Sequence, residues 1–212
     1  MMATVNSHMI EERQPARTAA TEEDPMPAPQ RVTRAALTAA ARAIAEDEGI
    51  DAVTISAVAT AVGVRPPSLY KHVDHRHDLL RLIADDAARE LDEDVAALAG
   101  SATDPAAKLT AIARAFRAFS ARSPRASSLL FSGAALGAGP QSEGMIALTR
   151  TLLSAVQATT PADPLPAART LTAWAHGFCT MEQAGAFQLG GDVDEAFEFG
   201  LTTLVGALTA RG

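Results

Sequence analysis

The chain has 212 residues, of which 48% are hydrophobic and 20% charged, a composition that suits one or two small globular domains. Its single cysteine, Cys179, excludes an intramolecular disulfide framework. No run of eighteen apolar residues and no charged-then-apolar leader predicts membrane insertion or export, so we expect a cytoplasmic protein with no membrane partner.

The formal net charge of -7 argues against a nucleic-acid partner, because clustered Lys and Arg side chains drive phosphate binding. The charges are unevenly distributed, however. Residues 54–81 carry four Lys or Arg against two Asp, a net charge of +2, together with three His. The acidic excess therefore lies elsewhere in the chain.

The N-terminal third divides into a tail and helices. Residues 1–29 contain four prolines and no apolar period, which predicts a flexible tail. From Arg31, apolar residues recur at intervals of three and four up to Glu48-Gly49, which indicates a first helix. Residues 75–98 show the same period and predict a long fourth helix.

The remaining segments also follow the helical period. Asp104-Pro105 is a helix start with proline in the first turn, and Ser123-Pro124 opens a shorter helix. Apolar periods over residues 145–156 and 167–189 indicate two more helices, and Gly190-Gly191 separates the second of these from a final helix. With no convincing strand pattern, the prediction is an all-α fold of about nine helices.

Residues 54–73 have the spacing of two short helices joined by a sharp turn. Thr54 can cap the first helix, and Gly63 can supply the positive φ that the turn needs. Pro66 and Pro67 fit only a first helical turn, so the second helix begins near Arg65. A helical hairpin with a solvated polar face and a DNA-reading helix-turn-helix explain this pattern about equally well.

The order Gly63-Val64, Leu69-Tyr70-x-His72, Arg76 and Asp78-Leu79-Leu80 resembles the DNA-binding signature of the tetracycline-repressor (TetR) family over residues 31–83. Val73 departs from it, since an aromatic residue is commoner there. The resemblance implies a three-helix helix-turn-helix domain over residues 30–74 and a helical ligand-binding and dimerisation domain over residues 75–212.

The same resemblance assigns roles on double-stranded DNA. Ser68, Tyr70, His72 and Arg76 would hold phosphates, and the groups facing bases would be Arg65, Pro66, Pro67 and Lys71. Thr54 completes the predicted DNA-binding set. The implied target is a palindromic operator bound by a homodimer, whose two recognition helices lie about one helical turn of DNA apart.

The run from Trp174 to Phe178 is similar to a TetR subgroup with a His-Gly signature in the penultimate helix. One face of this helix is predicted to look into a small-molecule pocket, and ordinary core packing is the alternative for such a face. The predicted pocket residues are Phe116, Phe119, Met145, Leu152, Trp174, Phe178, Met181 and Glu182. For Glu182 a salt bridge to Arg114, Arg117 or Arg150 is favoured over a ligand contact.

A stripe of small residues runs beside that face. Together with apolar positions of the last helix it is predicted to form a dimer interface, made by Ala173, Gly177, Ala184, Leu201, Leu204 and Leu208. Packing within one subunit is the alternative. His176 is interpreted as a hydrogen-bonded structural histidine, and Cys179 as a buried thiol without a redox role.

These features favour a DNA-binding transcriptional regulator, most simply a repressor released by a small-molecule ligand. The alternatives are an activator, or a helical interaction module of the same fold that no longer binds DNA. No convergent nucleophile, base or metal-ligand set predicts an enzyme, and we expect no metal or cofactor besides the unidentified effector.

Overall fold

The computed structural model describes residues 32–100, 102–136, 142–160 and 163–210, so the predicted tail lies outside the described residues. Within these ranges every regular element is helical, which confirms the all-α prediction. The ten α-helices are α1 (Arg34–Glu48), α2 (Ile55–Ala61), α3 (Pro66–Leu69), α4 (Arg76–Ala99), α5 (Pro105–Arg122), α6 (Pro124–Leu129), α7 (Gly133–Leu136), α8 (Glu143–Thr159), α9 (Pro164–Gln183) and α10 (Val193–Thr209).

Side-chain caps explain where the long helices begin. The Asp104 carboxylate accepts a hydrogen bond from the Ala107 amide at 3.0 Å, and Pro105 opens α5 as expected. Asp163 caps α9 in the same way, so this helix begins at Pro164, three residues before the predicted start. It also ends earlier than predicted, before Gly185, whose φ is 61°.

The turn between α2 and α3 has the predicted geometry. Gly63 adopts a φ of 71°, in the left-handed region that glycine tolerates without strain. Its amide donates to the Thr60 carbonyl at 3.1 Å, and the Val64 amide donates to the Ala59 carbonyl at 2.9 Å. These bonds satisfy the end of α2 and turn the chain sharply into α3.

α4 is the helix around which the others pack. It contacts α1, α5, α6, α7 and α8, and one side of it is buried along nearly its whole length. The buried residues are Leu79, Leu80, Leu82, Ile83, Ala84, Ala87, Ala88, Leu91 and Val95. They join the core residues of α1, α2 and α3 to those of α5 and α6 in one hydrophobic cluster. The predicted domain boundary at residues 74–75 thus crosses continuous packing and stays a prediction.

A second hydrophobic cluster lies among α5, α8, α9 and α10. Its best-buried large side chains are Leu109, Phe197 and Leu201. No helix in the described ranges is long and apolar enough to cross a membrane.

Candidate functional site

α3 and the turn after it carry exposed polar side chains, and two buried apolar residues, the anchor, hold this segment on the core. Leu69 is fully buried and Val73 is 4% exposed, and the Val73 amide donates to the Leu69 carbonyl at 3.0 Å. Around this anchor the predicted DNA-facing side chains point outward, with Pro66 half-buried and the others exposed: Arg65, Pro67, Ser68, Tyr70, Lys71 and His72. Among the described residues, the polar side chains of this group have no hydrogen-bond or ion-pair partner.

Tyr70 is the clearest member of this surface. Its side chain is an aromatic ring, yet it is 56% exposed in the single chain. A tyrosine normally buries its ring and pairs its hydroxyl. Its exposure beside Lys71 and His72 gives the surface both hydrogen-bonding and cationic groups. We call the exposed set from Arg65 to His72 the reading surface.

Thr54 and Arg76 have structural contacts of their own. The Thr54 hydroxyl accepts a hydrogen bond from the Ala57 amide at 3.1 Å and so caps α2. The Arg76 guanidinium donates to the carbonyls of Val53 at 2.9 Å and Ile50 at 2.7 Å, which ties α4 to the turn between α1 and α2. These bonds use Nε and Nη2, and the Arg76 side chain is still 37% exposed, so its predicted contact with a phosphate stays a prediction.

The start of α4 is fixed by Asp78. Its carboxylate accepts hydrogen bonds from the amides of His75 at 2.9 Å and Asp74 at 3.0 Å. The bond from His75 is the main reason that the pKa of Asp78 lies below its usual value, and Arg81 adds to the effect. The chain leaving the reading surface is thereby held rigidly at the first turn of α4.

A cavity of about 550 Å³ lies among α4, α5, α8 and α9. Three of the predicted pocket residues line it: Phe116, Met145 and Leu152. Further lining comes from apolar residues of α4 and from the end of α6, including Leu91, Val95, Leu130 and Phe131. The volume is within the range of small-molecule sites.

The other five predicted pocket residues do not line the cavity, which corrects the pocket assignment. Phe119 is fully buried in the core. Trp174 stacks on Phe197 of α10 at 5.1 Å between ring centroids, and Phe178 meets the same ring edge-on at 5.2 Å. Met181 is 48% exposed. Trp174, Phe178 and Met181 lie on a face of α9 that meets α10 or solvent, because the neighbouring face of α9 packs over the cavity.

Glu182 is the fifth of these residues, and the structure confirms its predicted salt bridge. The Arg117 guanidinium donates to the Glu182 carboxylate at 3.0 Å and also lies 2.7 Å from Asp194. It sits over the Phe197 ring at 4.7 Å. The hydrogen bond to Glu182 is the main cause that raises the pKa of Arg117. The ion pair fastens α5 to α9 and to the start of α10.

His176 belongs to the cavity, contrary to the prediction of a hydrogen-bonded structural histidine. Its ring lies 4.4 Å from the Phe131 ring, and both side chains line the cavity. Arg169 and Thr172 of α9 line it as well. These positions follow one another at helical spacing, but on a helix with two apolar faces the sequence could not show which face met the cavity.

The predicted dimer residues fall into two groups. Ala173 and Ala184 are exposed and Gly177 is half-buried, so this stripe lies at the surface. Leu201 is 1% exposed within its own subunit, which corrects its assignment to an interface.

Leu204 and Leu208 are half-buried and pack on the second cluster of their own subunit. The sequence prediction missed Phe199, which is 76% exposed on α10. Phe197 and Leu201 are buried on the inner side of α10, and Phe199 lies on its outer side. A large apolar residue on the outer side of this helix was the signal in the sequence.

The comparisons with known proteins establish the family. The model of "Bacterial regulatory proteins, tetR family" matches residues 37–83, and the model of "Tetracyclin repressor-like, C-terminal domain" matches residues 109–204. The chain therefore belongs to the TetR family of transcriptional regulators. Its place in a His-Gly subgroup of that family stays a prediction.

Two curated relatives are also described as regulators. The chain is 34% identical over 100 residues to the HTH-type transcriptional regulator Rv0681 of Mycobacterium tuberculosis, a match that covers 45% of this chain and 44% of that protein. It is 26% identical over 184 residues to the HTH-type transcriptional regulator YobS of Bacillus subtilis, covering 84% of this chain and 93% of that protein.

Solved structures give the same likeness over most of the chain. Mycobacterium smegmatis BioQ is 30% identical with a TM-score of 0.67, over 85% of this chain and 100% of that one. A structure of BioQ with its natural double-stranded DNA operator is 27% identical with a TM-score of 0.66, over 85% and 99% of the two chains.

Cys179 should react slowly in the folded protein. It is 3% exposed, and burial raises the pKa of its thiol to about 11. At pH 8 the thiolate fraction should then be on the order of 100-fold smaller than that of an ordinary cysteine. We expect thiol labelling at pH 8 to be at least about 100-fold slower in native protein than in urea. Equal rates in the two states would contradict the buried position.

Proposed function

We propose that the protein is a repressor that acts in the cytoplasm, binds a palindromic double-stranded DNA operator as a homodimer, and leaves the operator when a small molecule occupies the cavity. The observation that carries the proposal is the reading surface, an exposed and unpaired polar set of side chains held on the buried anchor of Leu69 and Val73. The similar BioQ protein has been solved with its natural double-stranded DNA operator, which supports DNA binding by this chain. In helix-turn-helix proteins the second helix enters the major groove, and α3 is the second helix here.

The local charge of the reading surface suits DNA despite the acidic chain. Residues 55–73 contain Arg65, Lys71 and His72 but no Asp or Glu. Phosphate attraction depends on the field close to the surface, since charges more than about 10 Å away are screened at 0.1 M salt. The net charge of -7 for the whole chain is therefore compatible with DNA binding by this segment.

The outer side of α9 and α10 supports a homodimer. Most exposed residues along the middle of this side are small or apolar, and the charged Arg169 and Glu195 lie toward the starts of the two helices. The small or apolar set is Ala173, Thr180, Met181, Ala184, Phe199, Thr203, Gly206 and Ala207. Small side chains let helices approach closely, and two such helix pairs related by a two-fold axis make a four-helix interface. Such an interface would cover Phe199, which one subunit alone leaves in water.

α4 offers a physical route from the cavity to the reading surface. Leu91 and Val95 line the cavity, whereas Leu79 and Ile83 of the same helix belong to the hydrophobic core that also holds buried residues of α1, α2 and α3. A ligand that fits the cavity better in one position of α4 will shift the population toward that position. A coupling free energy of roughly 1–3 kcal/mol changes operator affinity several-fold or more.

α6 provides a second connection between the same two places. At its start, the amides of Arg125 and Ala126 donate to the Glu46 carboxylate of α1, at 3.1 and 2.9 Å. Just after its end, Leu130 and Phe131 line the cavity. A ligand pressing on this end can therefore displace α1, because the carboxylate caps α6 and holds the two helices together.

The reading surface is tested on the duplex that the wild-type protein selects from a random library, which should be palindromic. Arg65→Ala should weaken binding by about 1–3 kcal/mol and Tyr70→Ala should also weaken it, because each removes a group facing the DNA. Fluorescence anisotropy over a salt series measures both effects. The free energy of unfolding should stay within about 0.5 kcal/mol for Arg65→Ala, since this side chain is exposed.

Arg150→Ala is the matched control, because Arg150 is an exposed arginine on α8, far along the chain from the reading surface. It should leave operator affinity unchanged. If all three variants bind like the wild type, or if no duplex is enriched, the proposed function is wrong and the interaction-module alternative gains support.

The dimer face is tested by Phe199→Glu. Burying an unpaired carboxylate in place of an aromatic ring, twice in a symmetric interface, should raise the dimer dissociation constant by at least about 100-fold. Sedimentation velocity measures the shift to monomer. Leu98→Glu on α4, where Leu98 is 55% exposed, is the control and should stay dimeric. A Phe199→Glu protein that dimerises like the wild type would contradict the interface.

A further inference from the structure

The polar groups of the cavity are confined to one side. The walls supplied by α4 and α5 are wholly apolar and include Leu91, Val95 and Phe116. The polar side chains come from α9 and α8, and they are Arg169, Thr172, His176 and Thr149. Arg169, Thr172 and His176 are spaced at i, i+3 and i+7, so they share one face of α9. The cavity is therefore built for a molecule with an apolar body and one polar end.

Arg169 sets the charge of that polar end. It is the one Lys, Arg, Asp or Glu among the described residues that line the cavity. No described residue pairs with it through an ion pair or a hydrogen bond. By contrast, Arg114 and Arg117 of the facing helix α5 are each paired with a carboxylate. Arg169 is exposed as well as unpaired, so its guanidinium is available to an anionic group of a molecule that enters the cavity.

We propose that the effector is a carboxylic acid with an unbranched or aromatic apolar body, whose carboxylate binds Arg169 and whose body fills the cavity. A guanidinium binds a carboxylate through two parallel hydrogen bonds, and the hydroxyls of Thr172 and Thr149 are further donors on the same side. The volume of about 550 Å³ admits a medium-length chain. This inference rests on the proposed function, in which occupation of the cavity releases the operator.

The chemistry of the walls excludes the nearest alternatives. A cationic amphiphile would place its charge beside Arg169, with no acidic residue among the described lining residues to balance it. A polar acid such as a sugar acid would bury its hydroxyls against leucine and phenylalanine side chains without partners. An acid with an apolar body can pair its carboxylate with Arg169 and pack its body against the apolar walls.

The test is isothermal titration calorimetry of the full chain, without DNA, with octanoate, decanoate, 1-decanol and decylammonium. Decanoate should bind about 15-fold more tightly than octanoate, because each buried methylene adds about fourfold. It should also bind at least about 10-fold more tightly than decylammonium.

Arg169→Gln should lower decanoate affinity at least about 10-fold and leave 1-decanol affinity within about twofold, because the variant removes the charge and keeps the apolar walls. Arg150→Gln is the control, since Arg150 is exposed on α8 and does not line the cavity. It should bind decanoate like the wild type.

Equal binding of decanoate and decylammonium would overturn the inference, as would an Arg169→Gln protein that binds decanoate normally. Neither result bears on the reading surface, because the titrations contain no DNA. A protein that binds decanoate as expected but selects no duplex would instead contradict the proposed function and leave the ligand class standing.

Discussion

The burial of one side of α4 is the constraint on which the rest of the structure depends. Leu79 and Ile83 belong to the hydrophobic core that also holds buried residues of α1, α2 and α3, and Leu91 and Val95 lie at the cavity. From residue 79 to residue 95 a helix rises about 24 Å, so a single rigid element joins two places that no side chain could connect.

Ion pairs between Arg42 of α1 and the α4 carboxylates of Asp86 and Glu90 accompany this packing. Partly exposed pairs contribute little stability, so the apolar contact is the main interaction between the two helices.

The sequence was sufficient where structure depends on neighbours along the chain. Helical period, Asp104-Pro105 and Gly63 are local signals, and they gave the all-α fold, the start of α5 and the turn of the helix-turn-helix. Local signals did not predict the contacts that depend on residues far apart in the chain. Arg76 binds carbonyls more than twenty residues earlier in the chain, which no local pattern predicts. α9 has two faces that could each line a cavity, and only the position of α10 shows that the Trp174 face packs elsewhere.

The chain separates its charges by role. Carboxylates concentrate on α4, where Asp86, Glu90 and Asp94 pair with arginines of α1 and α5, and the reading surface carries none. Arg117 shows the structural use of this pairing, since it joins α5 to Glu182 and Asp194 beside the proposed dimer face. Arg169 and the cations of the reading surface remain without partners in the described chain. Under the proposed function these are the positions where anions from outside, a ligand carboxylate and DNA phosphates, bind.

If α4 holds each reading surface at a fixed position relative to the dimer face, the two reading surfaces of a dimer have one defined separation on DNA. Double electron–electron resonance measures it directly, with spin labels on Asp47→Cys of α1, an exposed position outside the reading surface. Cys179 is buried and should stay unlabelled. On the selected duplex we expect one narrow distance distribution, because successive major grooves hold the recognition helices about 34–36 Å apart. The absence of dipolar coupling, or a broad distribution that the duplex does not narrow, would contradict a symmetric dimer reading two half-sites.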